Sequence, residues 1–342
     1  MAAQTLVMIL VLAALVLGIV GWRWLLSCRE QQDNWAIGIY AGAGPLQLAA
    51  HPAIGDRPVL AAVHIRDAEA TFVADPFLLR RDGRWYLFFE VMERRLWRGC
   101  IAYATSADGI DWQYGRVVLR EPFHLSYPYV FEDEGEVYFV PEAARSGQVR
   151  LYRARHFPEG WEFVCELLQG TYYDPSLVRH QDRWWLFVTD ATRSLRLFHA
   201  EDLRGPWAEH RASPVVRQDP RCSRSAGRIL RDGEGLLRFA QDGRAAYGTD
   251  VWAFRIARLD LEGYAESEVP GGPVLGASGT GWNASGMHQI DAQELVPGRW
   301  IAAVDGNVVR QVINWRAGLR RLQARWLRRE RSEGARRESS AR

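Results

Sequence analysis

The chain has 342 residues, with 43 arginines and no lysine against 41 acidic residues, 15 tryptophans, 31 glycines and 48% hydrophobic positions. This composition excludes a disordered or collagen-like chain, and the length allows a full-sized core, so stability requires neither disulfides nor metals. Residues 316–342 hold ten arginines and three glutamates, whereas residues 35–315 hold 31 arginines and 36 acids, so a basic tail follows a mildly acidic body. A body of that sign lacks the distributed basic face that nucleic acid demands, and no nucleic-acid partner is expected.

The first predicted element is an uncharged run of 18 residues, Thr5 to Trp22, continued beyond Arg23 by Trp24, Leu25 and Leu26. Such a run is long enough to cross a bilayer, and residues 5–26 are predicted to be a single-pass transmembrane anchor. A secretory signal peptide is the competing reading, but no Lys or Arg precedes the run and no A-x-A-like site follows it. Leu25-Leu26-Ser27-Cys28 is also a lipoprotein-like box, although Arg23 and Trp24 interrupt the apolar approach to it. Arg23 and Arg29 lie on the C-terminal side of the run, which predicts that the folded body faces the cytoplasm. Cys28, Cys100, Cys165 and Cys222 are far apart and form no C-x-x-C or His/Cys pair, so they read as ordinary thiols.

Residues 35–313 are organised by an internal repeat of about 50 residues. Asp75-Pro76-Phe77-Leu78-Leu79, Asp82-Gly83 and Trp85 to Glu90 read as strand, tight turn and strand. Tyr127 to Phe131, Glu134-Gly135 and Val137 to Glu142 repeat the pattern, as do Asp174 to Val178, Gln181-Asp182 and Trp184 to Val188. Weaker copies occur at Gly227 to Gln241 and Gln289 to Asp305. In four copies a further apolar strand and an aromatic loop follow, at Trp112, Trp161, Trp207 and Tyr264. Five such units predict an all-β, five-bladed β-propeller, with a two-sheet sandwich as the alternative. Residues 35–65, Pro58 to Val63 especially, are expected to supply an outer strand that closes the ring against the last blade. The remaining residues, 314–342, form an Arg-rich tail. Leu319, Leu322 and Trp326 fall on one face of a short helix there, which suits either an anionic membrane surface or a solvated end.

In a propeller, equivalent points of the inner strands converge on one channel, so the repeats superimpose candidate residues. Strand entries contribute Asp75, Tyr127 and Asp174; second-strand ends contribute Glu90, Glu142, Asp190, the Gln241-Asp242 pair and Asp305. Carboxylates around a channel are costly unless protonated, paired or used. Glycosidic chemistry needs two carboxyl groups, one acting as acid and the other as base or nucleophile. Asp75 is the candidate base and Glu142 the candidate acid, with Asp174 tuning or orienting; Asp-Pro at a strand start is equally a common turn signal. Arg224, Arg228, Gln241, Asp242, Tyr247 and His288, together with Glu90 and Tyr127, are candidate substrate-binding residues, the arginines because planar donors suit carboxylate, phosphate or sugar hydroxyls. The sequence contains no P-loop, no G-x-G-x-x-G after a strand, no G-x-S-x-G elbow and no H-E-x-x-H, so nucleotide, hydrolase-elbow and zinc-protease readings drop out; no cofactor and no metal ligand is assigned, and a central metal ion is left open.

Ala74-Asp75-Pro76-Phe77, Ile101 to Trp112 and Tyr173-Asp174-Pro175-Ser176 resemble the five-bladed propeller glycoside hydrolases of the arabinanase and β-xylosidase type, family 43. That resemblance implies an Asp of blade one as base, a later Asp that tunes pKa and a Glu as acid. Asp75 matches the first, while Asp174 matches an Asp-Pro-Ser motif in blade three, where the family carries it in blade two and this chain has Tyr127-Pro128. Glu142 matches the acid by position. Phe72 to Pro76, Ser126-Tyr127-Pro128 with Val140-Pro141-Glu142, Gly205-Pro206-Trp207, Arg238 to Asp242 with Tyr247-Gly248, and His288 to Ala292 look more like the N-terminal propeller domain of plant glucosamine inositolphosphorylceramide transferases and its bacterial relatives. This likeness covers nearly all of residues 35–310. It implies a glycan or glycolipid ligand. In the plant enzymes sugar transfer is credited to a separate C-terminal exostosin-like domain, so the resemblance also admits a non-catalytic binding module that works with a partner glycosyltransferase.

Overall fold

The predicted hairpins form because each joins two apolar strands through a two-residue turn with both residues left-handed. Asp82 and Gly83 have φ of 50° and 75°, Glu134 and Gly135 of 51° and 82°, and Gln181 and Asp182 of 52° and 58°. Such turns match the right-handed twist of the strands they connect. In the computed structural model, which describes residues 2–315, 319 and 323, these hairpins grow into five antiparallel sheets.

Blade one comprises Ala70–Arg81, Arg84–Glu93, Arg98–Ser106 and Gln113–Leu119; blade two comprises Ser126–Asp133, Glu136–Glu142, Gln148–His156 and Glu159–Gln169. Blade three runs from Tyr172–His180 through Arg183–Asp190 and Leu195–Ala200 to Ala208–Glu209. Blade four is built on Gly235–Asp242, Asp250–Asp260 and Gly263–Glu268, with its inner edge split between Arg224–Ser225 and Leu230–Asp232. Blade five joins Ile290–Val296 and Arg299–Asn307 to Trp35–Gly44 and Gln47–Ala50. The predicted five-bladed propeller is therefore the observed architecture, and the sandwich alternative falls away.

Ring closure involves the expected region but a different segment of it. Trp35–Gly44 pairs with Arg299–Asn307 along eight residues, from Trp35↔Asn307 to Gly42↔Trp300. Pro58 to Val63 forms no strand of that sheet: Leu60 makes only an isolated bridge to Ile37, and Ala62–His64 is a 3-10 turn. Ile37 and Ile39, almost fully buried, occupy the positions expected of a core strand.

Packing between blades is aromatic. Phe88 of blade one meets Phe139 of blade two edge-on at 5.2 Å, and Phe139 stacks on Trp161. The three loop tryptophans of the repeat behave alike, Trp112, Trp161 and Trp207 each donating the indole N–H to a carbonyl three or four residues back. Inner strands touch across blades: Gly227 of blade four bridges Ile290 of blade five, and a Cβ on Gly227 would lie 1.7 Å from the Ile290 carbonyl oxygen. Only glycine permits that approach, and its φ of 134° is equally closed to other residues.

The described residues fall into two units, one of them Asn34–Val308, which contains the propeller. The other holds the residues up to Asp33 and from Val309. In it the predicted anchor is part of a helix, Ala2–Ser27, and Arg29–Gln32 pairs with Arg310–Ile313 as a two-stranded ribbon. Several side chains in the first half of that helix lie outside the described residues, and among the described residues no helix is long and apolar enough to cross a membrane. Those that are described, from Met8 to Trp22, expose their apolar surface. Nearly all of the predicted tail also lies outside the described residues.

Candidate functional site

The entry residue of the inner strand is left-handed in three blades: φ is 54° at Asp75, 47° at Tyr127 and 49° at Asp174. Each sits in a bulge where strand register slips, between Ala74 and Phe77, Ser126 and Tyr129, and Tyr173 and Ser176. A bulge lets one strand re-aim a side chain, and here two of the three aim carboxylates at a common centre. Non-glycine residues occupy this conformation at a cost that surrounding contacts must offset.

Those contacts form one network. The Asp75 carboxylate accepts the Tyr127 backbone N–H at 3.1 Å and lies 3.3 Å from His288 Nε2. His288 Nδ1 binds Asp305 at 2.9 Å, and Asp305 also accepts the backbone N–H groups of Asp75, His288 and Gln289. Trp35 packs on the His288 ring at 4.1 Å and Tyr247 meets it edge-on at 5.2 Å. Asp174 is held by both nitrogens of an Arg224 fork, and Gln241 donates to it at 3.3 Å. The same guanidinium lies 3.6 Å from Glu142 Oε2 and over the rings of Tyr173 and Tyr247. Glu90 faces the cluster from blade one, with His124 Nε2 at 3.6 Å. His124 Nδ1 accepts the Gly99 N–H at 2.9 Å, which assigns the ring proton to Nε2, toward Glu90.

Burial governs the electrostatics. It raises the Asp75 carboxyl to about 7, with the His288 charge opposing and those of Asp305 and Asp174 adding to the rise. Burial also pushes Glu142 well above the carboxylate range, reinforced by the Asp174 charge, and does the same to Glu90, reinforced by Asp75 and Glu142. His288 behaves in the opposite sense: burial alone would lower it, but Asp305 and Asp75 hold the ring above its ordinary value. His124, buried without such a carboxylate cage, falls to about 4 and is neutral. Glu142 Oε2 and Glu90 Oε1 are buried with no hydrogen-bond partner among the described residues. A buried carboxyl oxygen left this way is unstable as an anion and well placed to hold a proton.

Asp75, Glu142, Asp174, Glu90, Arg224, Gln241 and His288 are thus brought together, with Tyr247 half-exposed at the rim. Four candidates lie outside this cluster. Tyr127 has no exposed surface; its phenol is bonded to Ser176 Oγ, the Gly227 carbonyl and the Gly227 N–H, so it forms the floor beneath the carboxylates. Arg228 is likewise structural in its contacts, forked onto fully buried Asp291 and bonded to the carbonyls of Val130 and Leu78. Asp242 points away from the cluster, where Arg244 chelates it and, against the upward push of burial, holds it below the usual range. Adjacent strand residues face opposite sides, so the Gln241-Asp242 pair contributes only Gln241. Asp190 does not join the cluster, since Thr189 pairs with Tyr173 in the register where Glu142 pairs with Ser126 and Asp190 binds Arg196 and Thr192, but it lines the cavity walled by Arg224 and Gln241.

Sequence reasoning did not single out Trp35, His124 or Tyr173. Only Trp35 carried a signal, as an aromatic at the start of the segment expected to close the ring. Asp75, His288 and Asp305 offer ligand atoms within 4.8 Å of one another. Both His288 nitrogens are already committed to carboxylates, so a cation there would have to replace a ring proton that two acids stabilise. Two cavities open beside the cluster and share Tyr173 as a wall. One, of about 510 Å³, is lined by Arg224, Gln241 and Tyr247; the other, of about 720 Å³, by Glu142 and His124.

Comparison with known proteins bears on this arrangement. The family model described as glucosamine inositolphosphorylceramide transferase 1, N-terminal, matches residues 28–307. Glucosamine inositolphosphorylceramide transferase 1 of Oryza sativa subsp. japonica is 34% identical over 333 residues, covering 87% of this chain and 44% of the relative. Its Arabidopsis thaliana counterpart is 31% identical over 308 residues, covering 83% and 40%. The chain therefore spans less than half the length of these curated relatives. Among solved structures, a putative glycosidase from Bacteroides thetaiotaomicron superposes with a TM-score of 0.54 at 11% identity, over 78% of this chain and 96% of that one. Exo-1,5-alpha-L-arabinanase from a bovine ruminal metagenomic library does so with 0.51 at 17%, over 72% and 94%. At such identities the likeness concerns the fold.

Proposed function

We propose, for a chain that belongs to the family of the N-terminal region of glucosamine inositolphosphorylceramide transferase 1, that its funnel takes the headgroup of a glycolipid or envelope glycan and cleaves or transfers a glycosyl group. In this reading Glu142 is the acid, Asp75 the base and Asp174 the carboxylate that fixes Arg224 against the substrate. The observation that carries it is Glu142: a carboxyl buried at the wall of an open cavity, with one oxygen unpartnered and its pKa raised well above the ordinary value. A general acid needs a proton available near neutral pH, which burial beside Asp174 supplies. Asp75, at about 7, ionises more readily because His288 opposes its burial cost, and a base of that pKa is matched to neutral conditions. Arg224, Gln241, Tyr247 and Glu90 supply donors, acceptors and a ring edge for hydroxyls. The relatives' names, which join glucosamine transfer to inositolphosphorylceramide, support a glycolipid ligand.

The test is turnover of glycolipid and glycoside substrates by the parent, Glu142→Gln and Asp75→Asn. Loss of at least a hundredfold in both variants, with melting temperature unchanged or higher, is the expected result. A second reading is favoured by one observation: Asp75 and Asp174 are already saturated by His288, Tyr127, Arg224 and Gln241, as in a site built to bind rather than react. It is a glycolipid-binding module that presents the headgroup to a partner glycosyltransferase. No turnover by the parent, together with glycan binding retained in the double variant, would select it.

Membrane attachment belongs to the same proposal. The uncharged run Thr5 to Trp22, taken as helix at 1.5 Å per residue, is about 27 Å long, close to the roughly 30 Å of a hydrocarbon core. Arg23 and Arg29 favour the propeller on the cytoplasmic side. Retention of the chain in membranes after alkaline extraction, and protease resistance of the propeller until cells are opened, are expected; release by alkali sinks the anchor.

A further inference from the structure

Trp97 stands apart from the other tryptophans of the repeat. Trp112, Trp161 and Trp207 turn their indoles into their own loops, whereas Trp97 is 55% exposed in the turn between Arg84–Glu93 and Arg98–Ser106. Among the described residues no aromatic ring or guanidinium packs against it. Its φ is 48°, a left-handed conformation that a bulky side chain seldom adopts and that a turn could have assigned to glycine or asparagine at lower cost. The strained backbone holds the indole at the wall of the 720 Å³ cavity, together with Met92, His124, Glu142, Arg145 and Tyr173.

The composition of that wall is specific. An indole face is a broad apolar surface with negative charge at its centre, suited to polarised C–H groups. The same cavity is lined by groups that suit hydroxyls: Glu142, whose Oε2 accepts no hydrogen bond among the described residues, the neutral His124 and the exposed Arg145, for which no ion pair is found among the described residues. A ligand with one flat face of C–H bonds and an edge of hydroxyls satisfies both kinds of group. We propose that this cavity is a saccharide subsite in which Trp97 stacks on the C–H face of a pyranose ring, positioning it for Glu142. The proposal rests on the reading of the funnel as a glycan site and adds the residue that orients the sugar.

The experiment titrates the full chain in detergent with the methyl glycosides of glucosamine, galactose and mannose, observed by saturation-transfer NMR. At least one should bind the parent, with transfer strongest to the ring C–H protons of a single face. Trp97→Ala should weaken the dissociation constant roughly tenfold and abolish the facial pattern. Trp97→Phe, which keeps an aromatic face, should stay within about threefold. Equal binding and an unchanged facial pattern in Trp97→Ala would overturn the subsite while leaving the funnel reading intact. Failure of the parent to bind any of the three, or to show binding that Glu142→Gln alters, would remove the funnel reading and the subsite with it.

Discussion

Asp75, Glu90 and Glu142 keep protons that free carboxyls would have released, because little water reaches them and each feels the charge of its neighbours. A folded pKa above the unfolded one means that the native state binds more protons between the two values, so stability falls as pH rises through that window. For Asp75 the window runs from the ordinary carboxylate range to about 7, and it corresponds to at most about 4 kcal/mol. His288 acts in the same direction at higher pH: its raised value contributes stability that is complete below its ordinary pKa and is lost as pH climbs through the folded one. Unfolding free energy measured by denaturant should therefore decline between pH 4 and 7, and Asp75→Asn should flatten the decline. Glu142→Gln should raise the melting temperature at pH 8 by about 2–4 °C, since an amide carries no desolvated charge. Identical pH slopes for parent and variants would mean that these groups ionise freely. The acids themselves were legible as strand-end residues; their proton affinities were not, because burial belongs to the assembled ring.

At the level of single elements, the decisive feature is the bulge at each strand entry. Asp-Pro, Tyr-Pro and Asp-Pro at equivalent repeat positions were readable as strand starts, and all three residues prove left-handed. What the motif could not convey is direction. Tyr127 carries its phenol to Ser176 in blade three and Gly227 in blade four, whereas its counterparts carry acids to the centre. Tyr127→Phe leaves the Gly227 N–H short of a buried partner, while Ser176 Oγ still reaches the carbonyls of Gly227 and Asp174, and a loss of about 1–3 kcal/mol in unfolding free energy is expected. A loss below about 0.5 kcal/mol would mean that the floor is not held by this phenol. Blade four shows the same limit on sequence reasoning: its split inner edge frees Arg228 to reach Asp291, which no periodicity predicts.

For the whole molecule, closure makes the ring a cooperative unit. Blade five takes two strands from each end of the propeller, so Trp35–Gly44 covers an edge that would otherwise be bare along Arg299–Asn307. It also supplies Trp35, which covers His288. A chain beginning at residue 52 should lose cooperative thermal unfolding and aggregate, as unpaired edges do; a melt matching the parent would show that the other four blades stand alone.

The repeat, the turn chemistry and the blade count follow from the sequence itself, because alternating apolar strands and left-handed turn residues are local properties written at fixed spacing. So was the set of acids from which the site is drawn. Tertiary structure alone decided which of them meet. One residue of register separates Gln241, which faces Asp174, from Asp242, which faces Arg244, and side chains on a strand alternate between its faces. Only the closed ring sets Glu142 beside Arg224 and Asp174, since those three residues lie on three different blades and no local pattern relates their directions.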